Sequence, residues 1–231
     1  MHDVRKVDVM ENVMDENDHI AAHIKDHMTD HGILIVNEMG GPGVGKTTTI
    51  RNVVKNLKKT APIVIEGDIE SDIDTKALND LGIPAYQINT YGACHLDAPM
   101  IDHRLEDMSF DLGDKDRGIM FIENIGNLVC PAEFTIGEHI LMLVSTVTEG
   151  SDKPYKYPLA FEKADIIIVN KVDLIPYLDF DEEFFMKGVR ALNKTAPVFK
   201  VSGKTGEGYR EVAEWLEKKA AELEVHEHHH E

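Results

Sequence analysis

The sequence predicts an α/β fold, a mostly parallel sheet flanked by helices on both faces, with an N-terminal helix ahead of it. Three observations carry that expectation. Short apolar, β-branched runs alternate with helix-compatible segments from residue 32 onward. The first run leads into a glycine-rich turn and then a helix, the strand–loop–helix unit of nucleotide-binding sheets. Several later runs end in acidic residues or in Asn-Lys, and ligands gather at the C-terminal edge of a parallel sheet. At 231 residues the chain suits one such domain.

Residues 1–31 precede the sheet. Over residues 8–31, Val9, Val13, Ile20 and Ile24 form an apolar stripe at near-helical spacing. His19, His23, His27 and His31 recur at every fourth position, so neighbouring pairs share a helix face. Such pairs can chelate a transition metal, and they can equally form a solvated polar face. Gly32 ends the helix. Residues 32–36 are the first strand, and 47–59 the helix after the glycine-rich turn. Residues 62–65 form a strand ending at Glu66, Gly67 and Asp68, followed by a helix over 71–81. A strand over 84–89 leads through residues 90–97 into a helix reaching about 108. Further strands cover 118–123, 139–147, 165–170 and 197–201, with helices over 180–192 and 209–223. Residues 148–158 are polar with two prolines and read as a mobile loop. Residues 32–225 thus form the nucleotide domain. The tail 226–231, rich in histidine, is either a natural metal-binding tail or an appended tag.

Gly40, Gly45, Lys46 and Thr47 fill the Gly-x-x-x-x-Gly-Lys-Ser/Thr pattern of a phosphate-binding loop. Gly40, Gly41, Gly43, Val44 and Gly45 let backbone N–H groups curl around phosphate oxygens, and Thr48 stands in the first helical turn, whose positive end faces the anion. Lys46 is placed to reach the β- and γ-phosphates, and the Thr47 hydroxyl to ligate Mg²⁺. A related loop class carries an additional lysine at the position of Gly41; this chain lacks it.

Asn170, Lys171 and Asp173 end a strand about 125 residues later. A carboxylate at Asp173 can accept both the N1–H and the exocyclic amine of guanine, a donor pair that adenine lacks. Ser202 and Lys204, after the last strand, are placed to complete that pocket. The nucleotide expected is therefore GTP, with GDP as product. Glu123 ends an apolar strand where an acidic residue holds Mg²⁺, and Asp68 is a second acid for Mg²⁺ or for the attacking water. Lys46, Asp68 and Glu123 are the expected catalytic residues. No arginine or glutamine declares itself as a transition-state stabiliser, which predicts slow hydrolysis that needs a second subunit or partner.

The net charge of −18 argues against nucleic acid or an anionic membrane as partner and suits a metal cation. No apolar run approaches the roughly 18 residues of a membrane span. Two cysteines are too few for a disulfide framework, and no secretory signal opens the chain, so a cytoplasmic protein with reduced thiols is expected. Cys94, His95 and Cys130 offer two sulfurs and a nitrogen, a donor set suited to Zn²⁺ or Ni²⁺. Cys94 reads as standing at a helix start, where the dipole favours a thiolate. The thiols could instead be buried small hydrophobes, or Cys94 and His95 a nucleophilic pair, although adjacent side chains point apart on most backbones.

Gly-x-Pro-Gly-x-Gly-Lys-Thr-Thr, Glu-Gly-Asp, Cys-His-Leu-Asp-Ala, Glu-Asn-Ile-Gly-Asn-Leu-Val-Cys-Pro-Ala and Asn-Lys-Val-Asp follow one another in this order. In this the chain resembles the HypB family, GTPases that help insert nickel into nickel–iron hydrogenases. The resemblance runs from about residue 7 to 216. It implies the SIMIBI-class phosphate-loop fold, a homodimer favoured by GTP, and Zn²⁺ or Ni²⁺ held by Cys94, His95 and Cys130 near the subunit interface. It also implies other hydrogenase-maturation proteins as partners. Some members carry a long histidine run or a Cys-rich nickel motif at the N-terminus. This chain has only the spaced histidines, so high-affinity nickel storage there is not implied. Two other functions fit less of the sequence: a regulatory or scaffolding GTPase with structural cysteines, and a urease-type nickel accessory GTPase. The latter typically shows Cys-Pro-His, where this chain has Cys130-Pro131-Ala132.

Overall fold

The structure, a computed structural model, describes residues 4–68, 76, 78, 79, 82–90 and 92–225, with the side chains of 4–13 and of 68 outside that description. Most of the expected helix over 71–81 and the tail 226–231 lie outside the described residues. Helix α1 (Val4–Asp30) leads into β1 (Ile33–Gly40), α2 (Lys46–Asn56) and β2 (Ala61–Asp68). Next come β3 (Ala85–Asn89), α3 (Ala98–Glu106) and β4 (Gly118–Glu123). The second half runs β5 (Ile140–Thr146), α4 (Lys153–Lys156), α5 (Pro158–Lys163), β6 (Ile166–Asn170), α6 (Glu182–Leu192), β7 (Val198–Lys200) and α7 (Tyr209–Ala221).

The seven strands form one sheet in the order β3-β2-β4-β1-β5-β6-β7, and every pairing is parallel. Strand β1 is central, and the order reverses on its two sides, which opens a crevice at its C-terminal end. Alternation along β1 sorts the core. Leu34 and Val36 pack with Ile50 and Val53 of α2 and Val212 and Leu216 of α7. Ile33 and Ile35 face the other way, onto Ala21, Ile24 and Met28 of α1 and Ile101 of α3. A third cluster joins Leu143 and Ile167 to Phe161 and Phe185. Helices therefore cover both faces.

Of the stripe expected on α1, Ile24 is buried and Ile20 half-buried, while the side chains of Val9 and Val13 lie outside the described residues. Burying a side chain such as Ile24 or Met28 contributes roughly 1.5–3 kcal/mol, which fixes the helix on the sheet. Asn17, buried on the same stripe, donates to the Thr135 carbonyl and accepts from the Ala98 N–H, capping the approach to α3. His139 joins α1 to β1: its Nδ1 accepts from the Ile35 N–H at 2.9 Å, and its Nε2 meets the Thr29 hydroxyl at 2.8 Å. No helix of the described residues is long and apolar enough to cross a membrane.

Residues 148–158 are not the irregular stretch expected. A 3-10 turn (Val147–Glu149), α4 and the start of α5 occupy them. Lys153 pairs with Glu149 in a half-buried contact and lies over the Tyr157 ring, while Tyr155 stacks on Phe184 of α6. The prolines open the short helices at their first turns, where a missing N–H costs nothing.

Candidate nucleotide pocket and metal centre

The phosphate loop leaves β1 at Gly40 and enters α2 at Lys46. Gly43 and Gly45 have φ of 72° and 95°, the left-handed region open to glycine. A Cβ on Gly45 would stand 2.6 Å from Asn170 Nδ2, so close approach as well as conformation demands glycine there. Lys46 is buried, with Nζ 3.5 Å from the Gly41 carbonyl, a long contact that a phosphate oxygen could displace. The loop's glycines and the N-terminus of α2 make a cradle that fits phosphate groups.

The base-side loop is tied to the phosphate loop by side chains. Asn170, buried at the end of β6, donates to the Val44 carbonyl and accepts from the N–H groups of Lys171 and Gly203. Lys171 has the only positive φ of a non-glycine among the described residues, 62°, and its ammonium reaches the Gly43 carbonyl at 2.7 Å. Asn170 and Lys171, expected near the base, line the same cavity as Asp173 and also clamp the phosphate loop. Asp173 accepts from the Ser202 hydroxyl at 2.6 Å, and Ser202 Oγ accepts from the Thr205 N–H. Asp173, Lys204 and Leu174 line a cavity of about 390 Å³ whose other wall is Gly45 and Thr48. That volume lies within the usual range of small-molecule pockets.

Thr47 Oγ1 donates to Glu123 Oε1 at 3.1 Å. The hydroxyl and carboxylate meet as hard oxygen donors beside the cradle, which suits Mg²⁺. Sequence reasoning missed Glu38, which is fully buried two residues before the loop. Burial, then the neighbouring Glu123 carboxylate, push the Glu38 carboxyl well above the usual carboxylate range against the opposing pull of Lys46. Asp68 ends β2 opposite Asn89, and its side chain lies outside the described residues.

Beyond β4 the chain turns to the thiols. Cys94 Sγ, a ring nitrogen of His95 and Cys130 Sγ all lie within 4.8 Å of one another, the one such group of three found among the described residues. Cys94 Sγ is 3.3 Å from His95 Nδ1, so these neighbours converge rather than point apart. Cys94 is not at a helix start: α3 begins at Ala98, capped by the Asp97 carboxylate accepting from the Met100 N–H. No helix dipole lowers its thiol. The hydrogen-bonded Cys130 thiol beside it, with some burial, pushes Cys94 up instead. His95 stacks on Phe134 at 4.5 Å, and Cys130 opens a 3-10 turn (Cys130–Ala132). Cys94 is exposed and Cys130 half-exposed, unlike buried structural cysteines. Two thiolates and an imidazole are soft and borderline donors fitted to Zn²⁺ or Ni²⁺.

The two sites touch. Asn127 forms a bridge with Gly40, and its side chain donates to the Cys94 carbonyl at 3.4 Å. Gly126 packs so closely on Pro42 that a Cβ there would come within 3.2 Å of it. Asn124, buried, accepts from the Leu96 N–H and donates to Asn37 on β1. The spaced histidines form an exposed row. His23 and His27 rings lie 6.2 Å apart, His27 and His31 4.5 Å, and His31 meets Phe110. Partial burial and the two neighbouring imidazoles lower His27.

Comparison with known proteins agrees with this geometry. Residues 33–200 match the family model described as CobW/HypB/UreG, nucleotide-binding domain. The chain is 40% identical over 215 residues to hydrogenase maturation factor HypB of Azotobacter vinelandii, covering 93% of this chain and 70% of that protein. A probable hydrogenase maturation factor HypB of Methanocaldococcus jannaschii is 35% identical, covering 96% of this chain and all of the relative. Among solved structures, HypB from Helicobacter pylori in complex with nickel superposes with a TM-score of 0.83 at 33% identity, over 93% of this chain and 100% of that one. HypB from Archaeoglobus fulgidus gives 0.80 at 34% identity, over 89% and 98%. Motif order, sheet topology and similarity over most of the chain converge, and the chain belongs to the HypB family.

Proposed function

We propose that this chain is a GTP-hydrolysing nickel metallochaperone of hydrogenase maturation. One segment carries the reading: residues 123–130 run from the acid hydrogen-bonded to Thr47 to a thiol of the three-ligand site, with Gly126 and Asn127 packed on the phosphate loop between them. A change at the phosphates therefore reaches Cys130 within seven residues.

The loop N–H groups and Lys46 bind and orient the triphosphate, and Lys46 leaves the Gly41 carbonyl to do so. Asp173 reads guanine from the far side of the cavity, with Ser202 holding its carboxylate in place. Thr47 and Glu123 are the residues that would hold Mg²⁺, which when bound neutralises charge developing on the phosphate oxygens. Asp68 is the remaining candidate for orienting the attacking water. Nickel or zinc is cargo in this scheme, held by Cys94, His95 and Cys130. Three protein ligands leave a position for water, a client group or a second copy of the chain. The GTP-bound chain pairs with a second copy, and hydrolysis reverses the pairing or the metal affinity. Other hydrogenase-maturation proteins are the expected recipients and donors. The names of the relatives and the nickel complex of one of them support this choice of pathway.

Calorimetric Ni²⁺ titration of the apo, GDP and GTP-analogue forms tests the coupling. Different affinities are expected, and linkage requires nickel to shift the affinity of that nucleotide by the same factor. Identical nickel affinities in all three forms would remove the coupling.

A further inference from the structure

Glu38 has no role in the scheme above, yet the fold keeps it at some expense. Its side chain has 0% exposure, and neither carboxyl oxygen has a hydrogen-bond partner among the described residues. Buried polar groups are almost always paired, and an orphan at a functional site points to an ion or ligand that completes it.

The sheet register shows what surrounds this carboxyl. Glu38 on β1 is directly beside Glu123 on β4, and Glu123 is directly beside Glu66 on β2. Paired positions on parallel strands project from the same face, so three carboxyl groups form a row across adjacent strands. Val36, Phe121 and Val64, two residues earlier on the same strands, pack against α2, so the row lies on the α2 face below the phosphate loop. Thr47, on that helix, already donates to Glu123. Glu123 and Glu66 each have one orphaned oxygen, whereas Glu38 has both, with no hydrogen bond to either among the described residues. Lys46 is the near positive group, and its weak contact to Gly41 leaves it free to follow the phosphates. Once Lys46 turns to the nucleotide, the carboxylates face a charge that a divalent cation can balance.

We propose that Glu38 is a third protein group of the divalent-cation site, its carboxylate facing Mg²⁺ from the β1 side while Thr47 and Glu123 hold it from α2 and β4. The inference rests on the nucleotide-pocket reading above and adds a residue to it. An apolar side chain at this position would be tolerated better by the empty protein and would leave the cation one acid short.

The test uses Mn²⁺ as a paramagnetic probe for Mg²⁺. Its affinity for the GDP-bound full chain is read by electron paramagnetic resonance, and GDP affinity is measured separately in EDTA. Glu38→Gln and Glu38→Leu should each weaken Mn²⁺ binding by about tenfold or more, leaving GDP affinity in EDTA unchanged. Glu38→Leu should also raise the thermal midpoint of the nucleotide-free protein, because it removes an unpaired buried carboxyl. Unchanged Mn²⁺ affinity in both variants overturns the inference. So does an equal loss of GDP affinity in EDTA, which would put Glu38 behind Lys46 instead of at the cation. A lower midpoint for both variants overturns the premise that Glu38 is unpartnered. A parent chain that binds no GDP brings down the pocket reading as well; a parent that binds GDP and Mn²⁺ while both variants match it brings down this inference alone.

Discussion

The phosphate loop and the thiol site are neighbours built in opposite ways. The loop is held from several sides: Asn170 grips the Val44 carbonyl, Lys171 grips Gly43, and Gly126 abuts Pro42. The donors it offers are largely backbone N–H groups between a buried strand and a helix. The thiol site is three side chains on two loops, with Cys94 exposed and anchored chiefly through its own carbonyl by Asn127. The difference suits the two tasks proposed above. Phosphoryl transfer rewards donors fixed before the substrate arrives, whereas a cargo site has to take up its ion and give it back. A loop site shifted by its neighbour can change metal affinity without rebuilding the fold.

Loss of the proposed base reader is expected to have the largest effect. Asp173→Asn leaves the cavity shape but presents an amide donor to the guanine N–H groups. GTP affinity should fall by about 10²–10³-fold, with the preference turning toward XTP, whose C2 carbonyl can accept from the amide. Competition between the two nucleotides in a fluorescent-analogue displacement assay reads it directly. An unchanged preference would mean that Asp173 only holds Ser202. Metal binding at Cys94 and Cys130 should be untouched, which is the first arm of the contrast.

The second arm is Cys130→Ala. Removing one of three protein ligands should weaken Ni²⁺ and Zn²⁺ by at least about 10²-fold, the upper end of what loss of an outer-shell partner costs. GTP binding should be spared, because among the described residues no hydrogen bond of the pocket involves the sulfur. A chelator-competition titration gives the metal constant. If metal affinity holds while GTP binding drops, the separation drawn above between the two sites is wrong.

A smaller effect tests the rigidity of the loop itself. Gly45→Ala forces a Cβ against Asn170 Nδ2 at a φ of 95°. The left-handed conformation alone costs roughly 1–2 kcal/mol, so nucleotide binding should weaken by about 10–30-fold once the clamp is displaced. Gly43→Ala also carries a positive φ, but nothing lies within 4 Å of its Cβ, so it should do less harm. Equal losses in the two variants would argue that strain alone, without the Asn170 clamp, sets the loop.

Much of this was legible in the sequence, for reasons that differ by residue. The alternation of apolar runs and helical segments requires a parallel sheet, and the glycine–lysine–threonine spacing is local enough to read directly. Cys94, His95 and Cys130 could be nominated by residue type, but their convergence depends on β3 and β4 lying on either side of β2 in one sheet, which spacing does not reveal. Asn170 and Lys171 read as base-side residues and do line the cavity of Asp173, but their second role as clamps is hidden because Val44 and Gly43 lie more than 120 residues away. Glu38 escaped for the same reason: along the chain it is a polar residue at a strand end, and only the register with Glu123 gives it meaning. Cys94 was misplaced at a helix start because Asp97, a better cap, begins α3 three residues later.

A last expectation concerns the N-terminal end of β1 and β5, at the other end of β1 from the phosphate loop, and serves as a control for the nucleotide pocket. His139 Nδ1 accepts from the Ile35 N–H, so the ring is neutral with its proton on Nε2, toward Thr29. Protonation would set two N–H groups against each other. Burial lowers His139 from 6.5 to about 4. Between those values the unfolded chain binds a proton that the folded chain refuses, so stability falls as pH drops from about 6.5 toward 4 and is fully present above that window. Allowing for partial exposure, the contribution is on the order of 1–2 kcal/mol. In His139→Gln the amide oxygen can still accept from Ile35, and nothing there titrates. Urea unfolding of parent and variant at pH 7.5, 6 and 5 should show the variant losing less stability on acidification, with GDP affinity at pH 7.5 equal in both. Parallel pH profiles would show that His139 does not titrate with folding. A variant that bound GDP poorly at pH 7.5 would show that the α1–β1 end communicates with the pocket, and the contrast between the two sites would have to include this third region.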